Sequence, residues 1–304
     1  MITTYTHKNL TWVDLESPTA EELAPIAEKY NVHPLVVHEL LSPSDRSKVD
    51  LYDNCIYLIL HFPTTNIKNA GAIAEEVDFV IGKNFVITTH YANVDVLHEF
   101  GKKFETNALL NRKPVGTHAG FLFFAIIEHL YTSLEEQLDY VTENLQIAKT
   151  RIFRGEERAM VEQLSSISHH LLDFRLAVRS HATVWESFEK AGSEFFGSSF
   201  SYYLSTLSGE YQKIANMLES NKEILSDLRA TNDALLTTKV NETLVHLSMM
   251  AFVVFPLTLI AGLFSMDTIH TPIVGSYLDF WKVVGLMVLT TFGVFLYFRY
   301  RKWL

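Results

Sequence analysis

The chain has 304 residues, 48% of them hydrophobic and 20% charged, which is apolar for a purely soluble protein of two-domain length. Its net charge of −10 is unevenly spread: residues 1–240 carry 32 acidic against 21 basic side chains, and residues 241–304 carry three against four. An acidic body with no basic patch excludes nucleic acid as the expected partner, and the single cysteine, Cys55, excludes an internal disulfide and fits a reducing compartment.

The N-terminus, "MITTYTHKNLTWVDLESP", has neither a basic n-region nor an apolar h-region, so no cleaved signal peptide is expected. Helical patterns at 19–30 and 34–41 precede three β-rich runs at 55–62, 74–82 and 84–90, with Gly82-Lys83-Asn84 supplying turn chemistry between the last two. Residues 1–120 therefore read as an α/β domain. A helical region, 121–200, follows. It opens with a long helix over 121–153, and Gly155 and the Gly/Ser-rich 191–200 mark breaks.

From Leu207 the residues Leu207, Tyr211, Ile214, Leu218, Asn221, Leu225, Leu228, Asn232 and Leu235 recur at alternating spacings of four and three, a heptad-like seam. No Pro or Gly interrupts 210–255, so a stalk over 201–243 continues into the next segment as one helix of about 85 to 95 Å. The seam needs partner helices. A second copy of the chain is the expectation, and other helices of the same chain would satisfy the same pattern.

Residues 244–264 hold 21 residues without Asp, Glu, Lys or Arg, enough for a helix of about 30 Å to cross a bilayer. A second apolar run, 280–298, has its only charge, Lys282, at the edge, and Trp281, Tyr297, Tyr300 and Trp303 sit at its ends like an interfacial belt. The connection 265–279 contains no Lys or Arg, whereas the tail 299–304 carries Arg299, Arg301 and Lys302. Basic residues stay on the cytoplasmic side, so both termini are expected there, with 265–279 a short external loop. Extending the three/four spacing into the first span selects Asn241, Leu244, Ser248, Ala251, Phe255, Thr258 and Gly262, a face that serves either helix packing or, repeated about an axis, a pore lining. An enzyme is not expected: there is no P-loop, dinucleotide fingerprint or H-E-x-x-H motif, and His169-His170 has no convincing ligand set nearby.

"NETLVHLSMMAFVVFPLTLIAGLFSMDT", the loop with Thr271-Pro272, the second apolar run and the terminal "RKWL" resemble the membrane portion of the CorA family of divalent-cation channels. "WVDLESPTAEEL", "HPLVVHELL", "DRSKVDLYDNCIYLILHFP" and "EEVDFVIGKNFVITTH" resemble that family's cytoplasmic domain. The resemblance implies an α+β membrane protein: an N-terminal α/β/α cytoplasmic domain, a long stalk helix continuous with the first membrane helix, and a second membrane helix, assembled as a funnel-shaped homopentamer. It further implies transport of Mg²⁺, with Co²⁺ or Ni²⁺ as further cargo, across the cell membrane through a pore lined by the first membrane helix and gated by the cytoplasmic domain. No cofactor is implied beyond the transported or regulatory divalent cation.

The family's Gly-Met-Asn signature corresponds here to Ser265, Met266 and Asp267 after Phe264, so only the methionine is kept. In the family the asparagine is implicated in greeting a hydrated Mg²⁺; a ring of Asp267 carboxylates would add negative charge at that mouth. The Met-Pro-Glu-Leu element of the family is Thr271-Pro272-Ile273-Val274 here, and the glutamate is absent. Asp267 and His270 form an N/O pair suited to a transition metal. The family's pore constrictions correspond to Asn241, Leu244, Leu247, Phe255 and Thr258, with Leu244 and Leu247 as a hydrophobic neck. Glu210, Glu219, Glu223 and Asp227 are the candidate regulatory carboxylates of the stalk, or simply its solvated face. Two other functions fit the altered signature: a Zn²⁺ or other transition-metal transporter, proton-coupled in some designs, and a non-conducting membrane scaffold or regulatory subunit.

Overall fold

The computed structural model describes residues 1–63, 74–92, 94–109, 116–266 and 278–301. They form two units, Met1–Asn232 and Asp233–Leu304.

The first unit is built on a six-stranded sheet of β1 (Ile2–His7), β2 (Leu10–Glu16), β3 (Val49–Leu51), β4 (Ile56–Pro63), β5 (Ala74–Ile81) and β6 (Phe85–His90), in the order β1-β2-β6-β5-β4-β3. Neighbours are antiparallel except β2 and β6. The central strands β4, β5 and β6 are buried on both faces, which is why they read as near-continuous apolar runs rather than as alternation. Helices α1 (Ala20–Tyr30) and α2 (Pro34–Glu39) cover one face, where Leu23, Val36 and Leu40 meet Val13, Leu15, Tyr57, Ile59, Val80 and Ile87. Thr19 and Glu22 close a capping box at the start of α1, and Asn31 ends it in the left-handed conformation.

The other face lies under α3 (Asp95–Leu109), α4 (Ala119–Phe153), α5 (Glu157–Val178) and α6 (His181–Phe196). Phe79 meets Phe123 edge-on, ring centroids 5.2 Å apart, and Trp12 meets Phe100 at 5.5 Å. A buried polar chain joins these helices to the sheet. The Trp185 indole donates to the Tyr131 hydroxyl (2.8 Å), Tyr131 bonds His181 Nδ1 (2.7 Å), and His181 Nε2 donates to the His61 carbonyl (2.8 Å). That carbonyl fixes the tautomer, leaving Nδ1 to accept from Tyr131.

A short 3₁₀ turn leads into α7 (Ser201–Ser265), a single helix of 65 residues and about 98 Å at 1.5 Å per residue. The second unit contains the end of α7 and α8 (Asp279–Tyr300).

Several elements differ from the sequence expectation. Strands β1, β2 and β3 and helix α3 were not anticipated. The break expected across 191–200 falls at Gly197, whose φ of 93° suits glycine, after α6 has run on to Phe196. The stalk seam is also corrected. Leu207, Ile214, Leu218, Asn221, Leu225, Leu228 and Asn232 are buried within this one chain. Asn221 donates from Nδ2 to the Leu138 carbonyl on α4 (3.3 Å) and accepts from the Thr142 hydroxyl (2.9 Å). Its amide is therefore spent inside the chain and is not available to fix the register of a second copy.

Candidate functional site

Beyond Asn232 the character of α7 changes. At 100° per residue, Met249, Val253, Pro256, Leu257, Ile260 and Phe264 share one half of the helix, and all are half-buried. Phe252 and Phe298 of α8 touch edge-on at 6.2 Å. The opposite half carries Asn241, Leu244, Leu247, Ser248, Ala251, Phe255, Thr258 and Gly262. All of these are exposed except Ala251, which is half-buried; Phe255 is 72% exposed and Leu247 63%. The sequence-selected set thus lies together along one face of α7, away from the half-buried stripe.

Local backbone chemistry tempers the polarity of that face. The Thr258 hydroxyl donates to the Val254 carbonyl (2.9 Å) and Ser265 to the Gly262 carbonyl (3.0 Å), leaving their oxygen lone pairs as acceptors. Pro256 lacks an N–H, so the Phe252 carbonyl one turn earlier loses its helical donor although the helix continues through. On α8, Phe280, Trp281, Leu289 and Phe292 are exposed. Such long exposed apolar surfaces on both helices exclude the buried-core-helix explanation and suit lipid and further copies of the chain.

Ser265 and Met266 close the described end of α7, both exposed. Asp267 and His270 lie outside the described residues, as do Thr271, Pro272 and the terminal basic residue Lys302. Among the described residues no three His, Cys, Asp or Glu side chains converge as a metal centre. Of the stalk carboxylates, Glu219, Glu223 and Asp227 follow one another at four-residue spacing on one exposed stripe, and Glu210, half-buried, points to a different side of the helix. Glu219 pairs with Lys222 at 2.7 Å, which holds its carboxyl below the usual range.

Sequence reasoning missed a cavity of 580 Å³ between α7 and α8, lined by His246, Met249, Met250, Thr291, Phe295 and Phe298. The available signal was His246, the one ionisable side chain in the first apolar run.

The family model for the CorA-like Mg²⁺ transporter protein matches residues 7–301. The cobalt/magnesium transport protein CorA of Thermotoga maritima is 21% identical over 97% of this chain and 83% of its own. The complete structure of the CorA magnesium transporter from Methanocaldococcus jannaschii superposes with a TM-score of 0.84 at 18% identity, covering 99% of this chain and 94% of that one. The cytoplasmic domain of ZntB from Vibrio parahaemolyticus superposes with a TM-score of 0.61 at 14% identity over 76% of this chain and 89% of that one.

Proposed function

We infer that this chain, which belongs to the CorA-like Mg²⁺ transporter family, is one subunit of a homopentameric divalent-cation channel of the cell membrane, with α7 lining a central pore, α8 outside it and both termini cytoplasmic. The observation that carries this reading is the two-sided surface of α7: a half-buried apolar stripe and, opposite it, an exposed face that mixes Asn241, Ser248 and Thr258 with Leu244, Leu247 and Phe255. Symmetric repetition of that face about an axis gives a narrow path that is alternately polar and apolar.

In this path Leu244 and Leu247 form the neck, which closes by excluding water. Thr258 and Asn241 offer neutral oxygens to an ion that keeps its first-shell waters, as Mg²⁺ does. Phe255 narrows the middle, and Ser265, Met266 and Asp267 form the outer mouth, where clustered carboxylates concentrate divalent cations and share protons among themselves. Mg²⁺ is the proposed cargo, after the relatives named for magnesium and cobalt. Binding of a cation at the stripe of Glu219, Glu223 and Asp227 is the proposed gating input from the cytoplasmic side.

The departure from Gly-Met-Asn supports a second reading, transport of Zn²⁺ or another transition metal with Asp267 and His270 as ligands. Flux into proteoliposomes under an inside-negative potential, with Mg²⁺ and Zn²⁺ supplied separately and Asp267→Asn alongside, separates the two. Saturable Mg²⁺ entry that changes several-fold in Asp267→Asn is the expected result. Zn²⁺ entry without Mg²⁺ moves the assignment to the transition metal, and no flux of either from intact oligomers leaves only a non-conducting scaffold.

A further inference from the structure

Strand β5 carries two carboxylic acids on the sheet face that packs under α1 and α2. Glu76 and Asp78 are two residues apart, so both side chains leave the strand on that side, opposite His61 and Ile59 of β4. Both are buried, Asp78 with no exposed surface at all.

Each carboxyl has one oxygen supplied with a donor and one without. Glu76 Oε2 accepts the backbone N–H of Ser44, from the segment that joins α2 to β3, and Asp78 Oδ2 accepts the Tyr91 hydroxyl at 3.3 Å. Glu76 Oε1 and Asp78 Oδ1 have no donor, and the two carboxyls lie within hydrogen-bonding reach of each other. Two carboxylates facing one another are four acceptors and no donor; one proton between them closes both gaps at once.

The surroundings place one basic ring and several further acids against the pair. The charged and titratable groups facing the pair are His61 on β4, whose Nε2 is 3.7 Å from Glu76 Oε2 and 2.8 Å from the Ser44 carbonyl, together with Tyr57, Tyr91, Asp45 and Glu39. Lys48 is the nearby amine, and it is held by Glu39 and Asp50 at 2.7 Å each, above the Tyr57 ring. Both His61 ring nitrogens are already engaged, Nε2 with the Ser44 carbonyl and Nδ1 with the Ser47 hydroxyl at 2.9 Å.

We propose that Glu76 and Asp78 form a proton-binding site in the core of the N-terminal domain: the two carboxyls share one proton at neutral pH, carried on Asp78 and donated to Glu76, and release it only under alkaline conditions. Burial first, and then the neighbouring Glu76 charge, push the Asp78 carboxyl up to about 9. Removing the proton puts two negative charges side by side beside Glu39 and Asp45, which is what holds the proton in place through neutral pH. The proposal does not depend on which ion the chain carries.

Infrared spectroscopy of the full-length protein in lipid nanodiscs tests it. At pH 8 a carboxylic-acid C=O band that shifts in D₂O is expected, abolished in Asp78→Asn and displaced in Glu76→Gln. In the wild type alone, the same band should bleach with a midpoint near the alkaline value given above, so the result does not hinge on either variant folding. No band at pH 8, a band that neither substitution changes, or a band erased by millimolar Mg²⁺ at constant pH overturns the proposal; the last would make the site a cation site.

Discussion

His181 shows how far a single buried ring can shape the response to pH. Its surroundings offer one carbonyl, one hydroxyl and no carboxylate, and complete burial lowers its affinity for a proton to about 4. Between that value and the ordinary 6.5 the unfolded chain binds a proton that the folded chain refuses, so stability falls as pH falls through this window, by about 1.4 kcal/mol per unit and about 3 kcal/mol in all. Asp78 has the opposite sign. Its folded affinity is raised, so its contribution is complete below pH 4 and is lost as pH rises toward 9. The two slopes oppose one another between pH 4 and 6.5, and a wild-type denaturation curve there will look flat. The expected outcome is that His181→Gln, although less stable at pH 7, gains stability between pH 7 and pH 5, where the wild type stays flat, when denaturant midpoints are compared; parallel responses of the two proteins would show that His181 titrates normally. Cys55 needs no such test. Burial pushes its thiol up to about 11, which makes it an inert core side chain rather than a nucleophile.

At the scale of elements, the stalk shows what periodicity does and does not determine. Alternating spacings of three and four fix which stripe of α7 is buried, and the buried positions Leu207, Ile214, Leu218, Leu225 and Leu228 were legible for that reason. The same spacing is silent on whether the covering helices belong to the same chain, and here α4 and α5 of the same chain meet it, at Asn221 with Leu138 and at Arg229 with the Leu164 carbonyl. Strands β4, β5 and β6 were legible as dense apolar runs, whereas β1 is an edge strand with alternating exposure and β3 has only three residues, too short for a period of two to register. The Glu76–Asp78 pair was hidden by the same habit of reading. The apolar content of "AEEVDFVI" marks a strand, and alternation puts Glu76 and Asp78 on one face with Glu75 on the other, but that this face is the inward one follows only once β4 is seen to pair beside it. The residues selected at three/four spacing from Asn241 to Gly262 do share one face of α7, which the helical period alone makes legible; the loop residues Asp267 and His270 fall outside the described structure. The intrachain assignment of the seam has a direct consequence. Asn221→Ala removes two buried hydrogen bonds to α4, a cost of about 1–3 kcal/mol. Because both partners sit in one chain, the difference in denaturation midpoint from wild type should not change with protein concentration. A concentration-dependent shift would return the seam to a subunit interface.

For the whole molecule, an apolar surface too large for a soluble monomer is divided between lipid, neighbouring subunits and, on the proposed reading, a water-filled path. Two observations constrain the division. α7 meets α8 where Phe252 touches Phe298, and the face of α7 opposite its half-buried stripe is of mixed polarity, with Asn241, Ser248 and Thr258 set among Leu244, Leu247 and Phe255. Turned inward in a closed ring, such a face meets both other copies and water. Within such a ring, Leu244 and Leu247 are adjacent turns of bulky side chain, 53% and 63% exposed in the single chain and free to meet at the axis. A constriction of this kind conducts only when it is wet, so its resistance depends on side-chain polarity more than on charge. Leu247→Ser replaces an isobutyl group by a hydroxyl on a helix that is otherwise unchanged. In proteoliposomes holding the intact oligomer it should raise resting Mg²⁺ flux by about tenfold, equivalent to about 1.4 kcal/mol off the dewetting barrier, while leaving the effect of Asp267→Asn at the outer mouth as it was. Flux unchanged by Leu247→Ser, in an oligomer of the same mass as wild type, would place Leu247 on an interface between helices and require the neck to be sought at Phe255, the bulkiest exposed side chain on the same face.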